Sequence, residues 1–273
     1  MTASPTAGSS RAPHPTALAV VVPAHNEAQE LPGALDAVRT AARHPALADL
    51  PVVTVVVADA CTDATPAVAA QRGAAVIELP DRNVGAARAA GVAHALHLLR
   101  PHGERTWIVT TDADSRVPPH WLAHQLHHAR QGWHCIVGTV RLAHRPVLPV
   151  TTVARHNAHY FAGRPSWPLL WCHPHVHGAN LGIAAGPYRA AGGFPALTHG
   201  EDRALVAALE RRGCPILRTD ECPVRTSGRP DPRAPHGFGT FLRQLSLGLD
   251  LDFDRDLAAP VVVPGDRSGD LRP

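Results

Sequence analysis

Two acidic pairs have the spacing to do chemistry together. Asp112-Ala113-Asp114 follows the apolar run Thr106 to Thr111, and side chains at i and i+2 of an extended segment share a face. Two hard carboxylate ligands side by side suit Mg²⁺ or Mn²⁺, ions that keep several waters and bridge to substrate phosphates. Glu201-Asp202 opens a helix-like stretch, where neighbouring side chains point about 100° apart, so these two carboxylates do different jobs. Each pair also has an ordinary counterpart: a solvated acidic turn for the first, and helix-start carboxylates favoured by the macrodipole for the second. More polar residues follow other apolar runs: His25, Asn26 and Glu27 after one, Asp59, Thr62 and Asp63 after another. Singly these are common turn residues; what singles them out is that all of them follow strands.

The elements that must hold these residues alternate short β-branched runs with longer amphipathic stretches, the pattern of βαβ units around a buried parallel sheet. Leu18 to Val22 reads as the first strand, ending at Pro23; Leu31, Leu35, Val38 and Ala42 then mark one helix face. Val52 to Ala58 is a second strand, followed by Thr65 as N-cap and Pro66 as the first helical residue. Ala74 to Leu79 is a third strand, Asn83 to Arg100 a long Ala-rich helix, and Thr106 to Thr111 a fourth strand running straight into Asp112. Pro118 and Pro119 open a helix through about Arg130, and Cys135 to Val140 is a fifth strand. From there to His177 the period fades into an expected irregular segment, and Gly200 to Gly213 returns to helix. The fold class is α/β with a mostly parallel central sheet flanked by helices, and ligands of such sheets bind beyond the carboxyl ends of the strands.

Composition narrows the function. A chain of 273 residues, 45% of them apolar, can bury a real core, and 26 basic against 23 acidic residues leave +3, too little to imply nucleic acid as partner. No lysine occurs, which excludes Schiff-base chemistry and a P-loop lysine. The five cysteines lack a CxxC and suit a reducing cytoplasm, with a peripheral place at the inner membrane face left open. No apolar run approaches the roughly 20 residues of a membrane span. Residues 1–17 read as a flexible tail without a secretory signal, and residues 251–273 as a second tail.

Six blocks in order carry a family resemblance: VVPAHNEAQELPGALDAV, VVADACTDAT, RNVGAARAAG, VTTDADS, HGANLGIAAGPYRAAGGF and HGEDRAL. Together they resemble the family 2 glycosyltransferases over Leu18 to Arg225. The resemblance implies a GT-A (Rossmann-like) domain over residues 18–250, with a nucleotide-sugar-binding half at 18–115 and an acceptor-binding half at 116–250. It implies a nucleotide-diphosphate sugar donor and an acceptor hydroxyl on a lipid, carotenoid, polysaccharide or small metabolite. Pro23, His25, Asn26 and Glu27 would shape the nucleotide loop, and Asp59 would meet the base or ribose. Where the family usually has two aspartates before Gly-Ser-Thr-Asp, this chain has Ala58, Asp59, Ala60, Cys61, Thr62 and Asp63, which leaves base selectivity open. Arg82, Asn83, Gly85 and Arg88 surround a helix start where arginines and backbone N–H groups can meet a nucleotide or its phosphates. Asp114 would hold the metal, while Asp112, with Ala113, would contact the ribose or share the ion. Asp202 would be the base that deprotonates the acceptor, with Glu201 orienting, in a single displacement that inverts the anomeric carbon.

Acceptor contacts are sought at His177, Asn180 and Trp171. Cys172, His173, His175 and His177 could also ligate zinc, but their spacing fits no standard finger and loop or pocket histidines are the better reading. Trp167 and Trp171 could stack on a sugar or pack in the core. Phe238 to Leu249 reads as a helix packed on the core, and His124, His127 and His128 as residues of a surface helix. Three alternatives stay open: a retaining glycosyltransferase with a small phosphorylated acceptor, a nucleotidyltransferase of related fold, and a non-catalytic sugar-nucleotide-binding protein.

Overall fold

The computed structural model describes residues 14–142, 150–166 and 171–227. The expectations for Trp167, for Phe238 to Leu249, for the tail from 251 onward and for most of the first tail lie outside them.

Strands β1 (Ala17–Ala24), β2 (Val52–Asp59), β3 (Ala75–Leu79), β4 (Thr106–Thr110), β5 (Cys135–Leu142), β6 (Leu181–Ala184) and β7 (Ile216–Thr226) form one sheet in the order β3-β2-β1-β4-β6-β5-β7. β6 alone pairs antiparallel with both neighbours, β4 and β5; every other pairing is parallel. This is the mostly parallel α/β sheet expected. β1 runs past Pro23 to Ala24, pairing Pro23 with Val57 of β2. Its pairing with β4 ends at Val21, so the missing proline N–H costs no ladder bond on that side.

Period-2 alternation along β1 divides the core. Leu18, Val20 and Val22 face one layer with α1 (Leu31–Ala42), α2 (Thr65–Gln71) and α4 (Trp121–Arg130). Ala17, Ala19 and Val21 face the other with α3 (Val84–Leu98), α6 (Ala185–Ala190) and α7 (Glu201–Arg211). α1 buries Leu31, Ala34, Leu35, Val38 and Ala41, one stripe of a 3.6-residue period, and carries proline in its first turn. Thr65 is the first residue of α2 rather than its N-cap, which is Ala64; its hydroxyl donates to Asp63 Oδ1 at 2.5 Å instead.

Four elements escape the sequence periodicity, the six-residue α6 among them. α5 (Val150–Tyr160) occupies part of the stretch expected to be irregular. β6 is only four residues long, and β7 alternates charged residues around Pro223. β7 lies at the sheet edge, where a proline is tolerated, and a register shift between Gly138 and Val140 marks an irregularity in its pairing with β5.

Candidate active site

The loops that leave β1, β2 and β3 are tied to one another at the rim of the sheet. Asn26 accepts through Oδ1 from the backbone N–H of Thr62 at 2.8 Å, and its own N–H donates to Cys61 Sγ at 3.3 Å. His25 Nδ1 donates to the carbonyl of Asp59 at 2.7 Å. Glu27 is buried, and its N–H donates to Thr65 Oγ1 at 2.8 Å. Asn26, Ala60 and Arg82 are the positive-φ non-glycine residues among those described, one in each of these three loops. Strained backbone of this kind costs about 1–3 kcal/mol per residue and gathers where function demands a fixed loop.

Asp59 braces the rim. Its carboxylate is buried, and the two oxygens accept from the backbone N–H groups of Arg82 at 2.7 Å and Asn83 at 2.6 Å. It thereby fastens the start of α3 to the end of β2. Asn83 caps α3, accepting from Ala86 N–H at 3.0 Å, while its amide donates to the carbonyl of Ala196 at 3.1 Å. Gly85 donates its N–H to the carbonyl of Leu197 at 3.0 Å, and a Cβ there would lie 2.0 Å from the carbonyl of Pro195. Asn83 and Gly85 thus dock the chain segment that leads into α7. Arg82 remains exposed at the rim.

Arg88 points inward. Its guanidinium, 4% exposed, donates to Asp112 Oδ1 at 2.6 Å and, through its other terminal nitrogen, to Glu201 Oε1. The two acidic motifs, far apart in sequence, meet on this one cation. Glu201 is itself 3% exposed, so its charge is balanced inside the protein. Asp112 and Asp114 are both partly open to solvent while Ala113 between them is buried. Burial pushes the Asp112 carboxyl up to about 6 against the pull of Arg88, and the negative charges of Asp114 and Asp202 add to the rise. Asp114 and Asp202 therefore stand within electrostatic reach of the same carboxyl.

Asp202 separates from Glu201 as helix geometry requires. Its Oδ2 accepts from the backbone N–H of Gly178 at 2.7 Å and its Oδ1 from Arg203 N–H at 2.8 Å. Gly178 is held from its other side by Thr110 Oγ1, which donates to its carbonyl at 2.6 Å. A Cβ on Gly178 would come within 2.4 Å of the Arg88 guanidinium carbon, so only glycine lets the backbone reach both Arg88 and Asp202. The HGAN block carried the family resemblance; the part played by Gly178 follows only from its neighbours.

The acceptor-side candidates divide. Asn180 is a structural tie: its amide donates to the carbonyls of Thr139 and Cys222, each at 2.9 Å, its Oδ1 accepts from Trp121 Nε1 at 2.9 Å, and the residue is buried. Trp171 is buried against Val140, Tyr160 and Ala179, so core packing replaces a stacking platform. His177 is half-buried beside Gly178; its Nε2 lies 3.0 Å from the Tyr160 hydroxyl, and burial with neighbouring imidazoles holds its pKa near about 3. His175 stacks on Tyr160 at 4.0 Å between centroids, and His173 continues the stack. Cys172 is exposed while His173 and His175 are buried, so the four residues 172, 173, 175 and 177 do not converge as metal ligands.

Carboxylates at Asp112 and Asp114 suit a hard divalent cation: Asp112 and Glu201 pair with the guanidinium of Arg88, and the charges of Asp114 and Asp202 act on the Asp112 carboxyl. Among the described residues, no helix is long and apolar enough to cross a membrane.

Comparison with known proteins adds three findings. Residues 19–181 match the family model described as Glycosyl transferase family 2. No curated protein sequence matches the chain. Among solved structures, the chain is similar to residues 1–349 of TarS from S. aureus in complex with UDP-GlcNAc, at 13% identity and a TM-score of 0.58, covering 88% of this chain and 69% of that one. It is also similar to glucosyl-3-phosphoglycerate synthase from Mycobacterium tuberculosis in complex with Mn²⁺, uridine diphosphate and phosphoglyceric acid, at 16% identity and a TM-score of 0.53, covering 86% and 80%. A mycobacterial protein matches at 17% identity and a TM-score of 0.54, covering 86% and 75%. At such identities these likenesses are ones of fold.

Proposed function

The chain belongs to glycosyl transferase family 2, and from that premise we propose that it transfers a sugar from a nucleotide-diphosphate donor to an acceptor hydroxyl, with inversion at the anomeric carbon. The observation that carries this reading is the convergence of both acidic motifs on Arg88 and Gly178. A base is useful to a transferase only when it faces the same cleft as the donor's phosphates.

In this reading Asp202 takes the proton from the acceptor hydroxyl as that oxygen attacks. The backbone N–H groups of Gly178 and Arg203 fix the carboxylate for that task. Asp114, with Asp112, supplies the ligands for Mg²⁺ or Mn²⁺, which when bound offsets the charge growing on the departing nucleoside diphosphate. Glu201 does not touch the acceptor: it neutralises Arg88 from below, and Arg88 sets the direction of Asp112. The rim loops carrying Pro23, His25, Asn26, Glu27 and Arg82 form the nucleotide side, with Asp59 and Asn83 bracing them. His177 borders the acceptor side. TarS is solved with UDP-GlcNAc and the M. tuberculosis synthase with uridine diphosphate and Mn²⁺, so uridine nucleotide sugars are the first donors to try. A cytoplasmic setting suits the five cysteines, none of which is bridged.

The test begins with thermal shifts over a panel of nucleotide sugars with and without Mn²⁺, since a ligand of the native state raises its melting temperature. With a donor in hand, Asp202→Asn is expected to keep donor binding and lose transfer by about 10²–10⁴. Transfer equal to the parent chain would remove Asp202 from the role. NMR analysis of the product anomer decides inversion, and a retained configuration would replace the single displacement.

A further inference from the structure

Away from the rim, α4 and the edge strand β7 bring together three ligand side chains that glycosyl transfer does not use. His124 and His128 stand one turn apart on α4, their rings edge to face with centroids 4.6 Å apart. Glu221 reaches across from β7 to within 3.5 Å of His128 Nε2. One ligand atom from each of the three lies within 4.8 Å of the others. Donors bound to zinc at about 2.0–2.1 Å sit roughly 3.4 Å from one another, so small side-chain rotations would close the set.

We propose that His124, His128 and Glu221 form a structural Zn²⁺ site with water as the fourth ligand. Two observations beyond proximity support it. The Oε1 of Gln131, which can only accept, lies 3.0 Å from His128 Nδ1, so that nitrogen carries the proton and Nε2 turns its lone pair toward Glu221. The Gln131 amide in turn donates to His127 Nε2 at 2.9 Å, which fixes the orientation of this outer hydrogen bond. The second observation is His124 Nε2, a buried nitrogen with no hydrogen-bond partner among the described residues. Buried polar atoms are nearly always satisfied, and an ion would satisfy this one.

The site has no hydrolytic role. In a zinc protease helix the two histidines at i and i+4 enclose a glutamate that acts as base. Here that position is Gln125, which is buried with its Oε1 accepting from Trp107 Nε1 at 3.1 Å. Two imidazoles and one carboxylate match zinc better than the hard cations of the rim. The ion would staple α4 to β7 beside an existing link, in which Trp121 of α4 holds Asn180 and Asn180 holds the carbonyl of Cys222 on β7. Zinc therefore stiffens the wall behind the turn that contains Gly178.

The experiment uses the full chain stripped of metal and titrated with Zn²⁺ against a chromophoric chelator, with melting curves recorded in parallel. One equivalent is expected to bind in the parent chain and in Asp114→Asn. At free zinc a hundredfold above the dissociation constant, the melting temperature should rise by roughly 5–10 °C. His128→Gln should weaken the equivalent by at least about tenfold. Glu221→Gln, on the exposed side of the edge strand, leaves the fold intact and should weaken it likewise. Unchanged zinc affinity in both variants would overturn the proposal. So would loss of the equivalent in Asp114→Asn, which would put the ion at the rim, or in Cys172→Ser, which would put it on the histidine loop.

Discussion

Replacing Arg88 by methionine removes the one cation on which the two acidic motifs meet. The side chains of Arg88 and Glu201 are 5% and 4% exposed, so the substitution leaves the Glu201 charge buried and uncompensated, a loss of about 3–5 kcal/mol. The Asp112 side chain is 37% exposed and can be rehydrated, so its lost pairing adds little to that figure. At about 2–4 °C per kcal/mol for a domain of this size, the melting temperature should fall by roughly 6–20 °C. The double variant Arg88→Met, Glu201→Gln replaces a buried ion pair by two neutral side chains and should recover most of that loss. It should not recover Mn²⁺-dependent donor binding, because Asp112 has still lost the guanidinium hydrogen bond that sets its direction. Thermal unfolding of the three chains, followed by calorimetry of donor binding with Mn²⁺, gives both readouts. A fall below about 2 °C for the single variant, or a double variant no more stable than the single, would refute the assignment of Arg88 as the buried counter-ion.

Three further outcomes follow from the same structure. Gly85→Ala would drive a methyl into the Pro195 carbonyl and shift the segment that leads into Asp202, so transfer should fall far more than donor binding; an unchanged transfer rate would show that this close approach is dispensable. Asn180→Ala strands the Trp121 N–H and the carbonyls of Thr139 and Cys222, which should cost about 2–4 kcal/mol in denaturant unfolding; a loss within 0.5 kcal/mol, about the scatter of a surface substitution, would contradict its role as a tie. His156 and His173, held near about 4, and His177, held near about 3, are kept neutral by burial, so the folded state resists their protonation. Their contribution is complete above the ordinary imidazole pKa of about 6.5 and is lost as pH falls from there toward 4 and then 3; by pH 5.5 each should remove about 1 kcal/mol. Equal unfolding free energies at pH 7.5 and about 5.5 would show that these imidazoles are hydrated in the folded protein.

The sequence was sufficient wherever the signal is local. Period-2 and period-3.6 patterns placed β1 to β5 and the helices between them, because each element must bury one face whatever its neighbours are. A carboxylate just past a strand was legible for the same reason, which is how Asp112 and Asp114 could be named, whereas Glu201 and Asp202 open a helix and were singled out through the family resemblance. α5, β6 and β7 were not legible: one is polar, one has four residues, and one carries charges and Pro223 at a sheet edge.

What the chain could not state in one dimension is which polar group takes up which. Asp59 had the position of a nucleotide ligand, and the structure gives its oxygens to the backbone of Arg82 and Asn83. Arg88 looked like a phosphate contact, and the strand order turns it inward onto acids 24 and 113 residues away. His124 and His128 passed for surface residues until β7, at the far edge of the sheet, set Glu221 beside them. Amphipathic period is a property of each segment alone, whereas these pairings depend on the order in which strands lie side by side. Only packing fixes that order, since buried charges and hydrogen-bonding groups must find partners wherever the fold brings them.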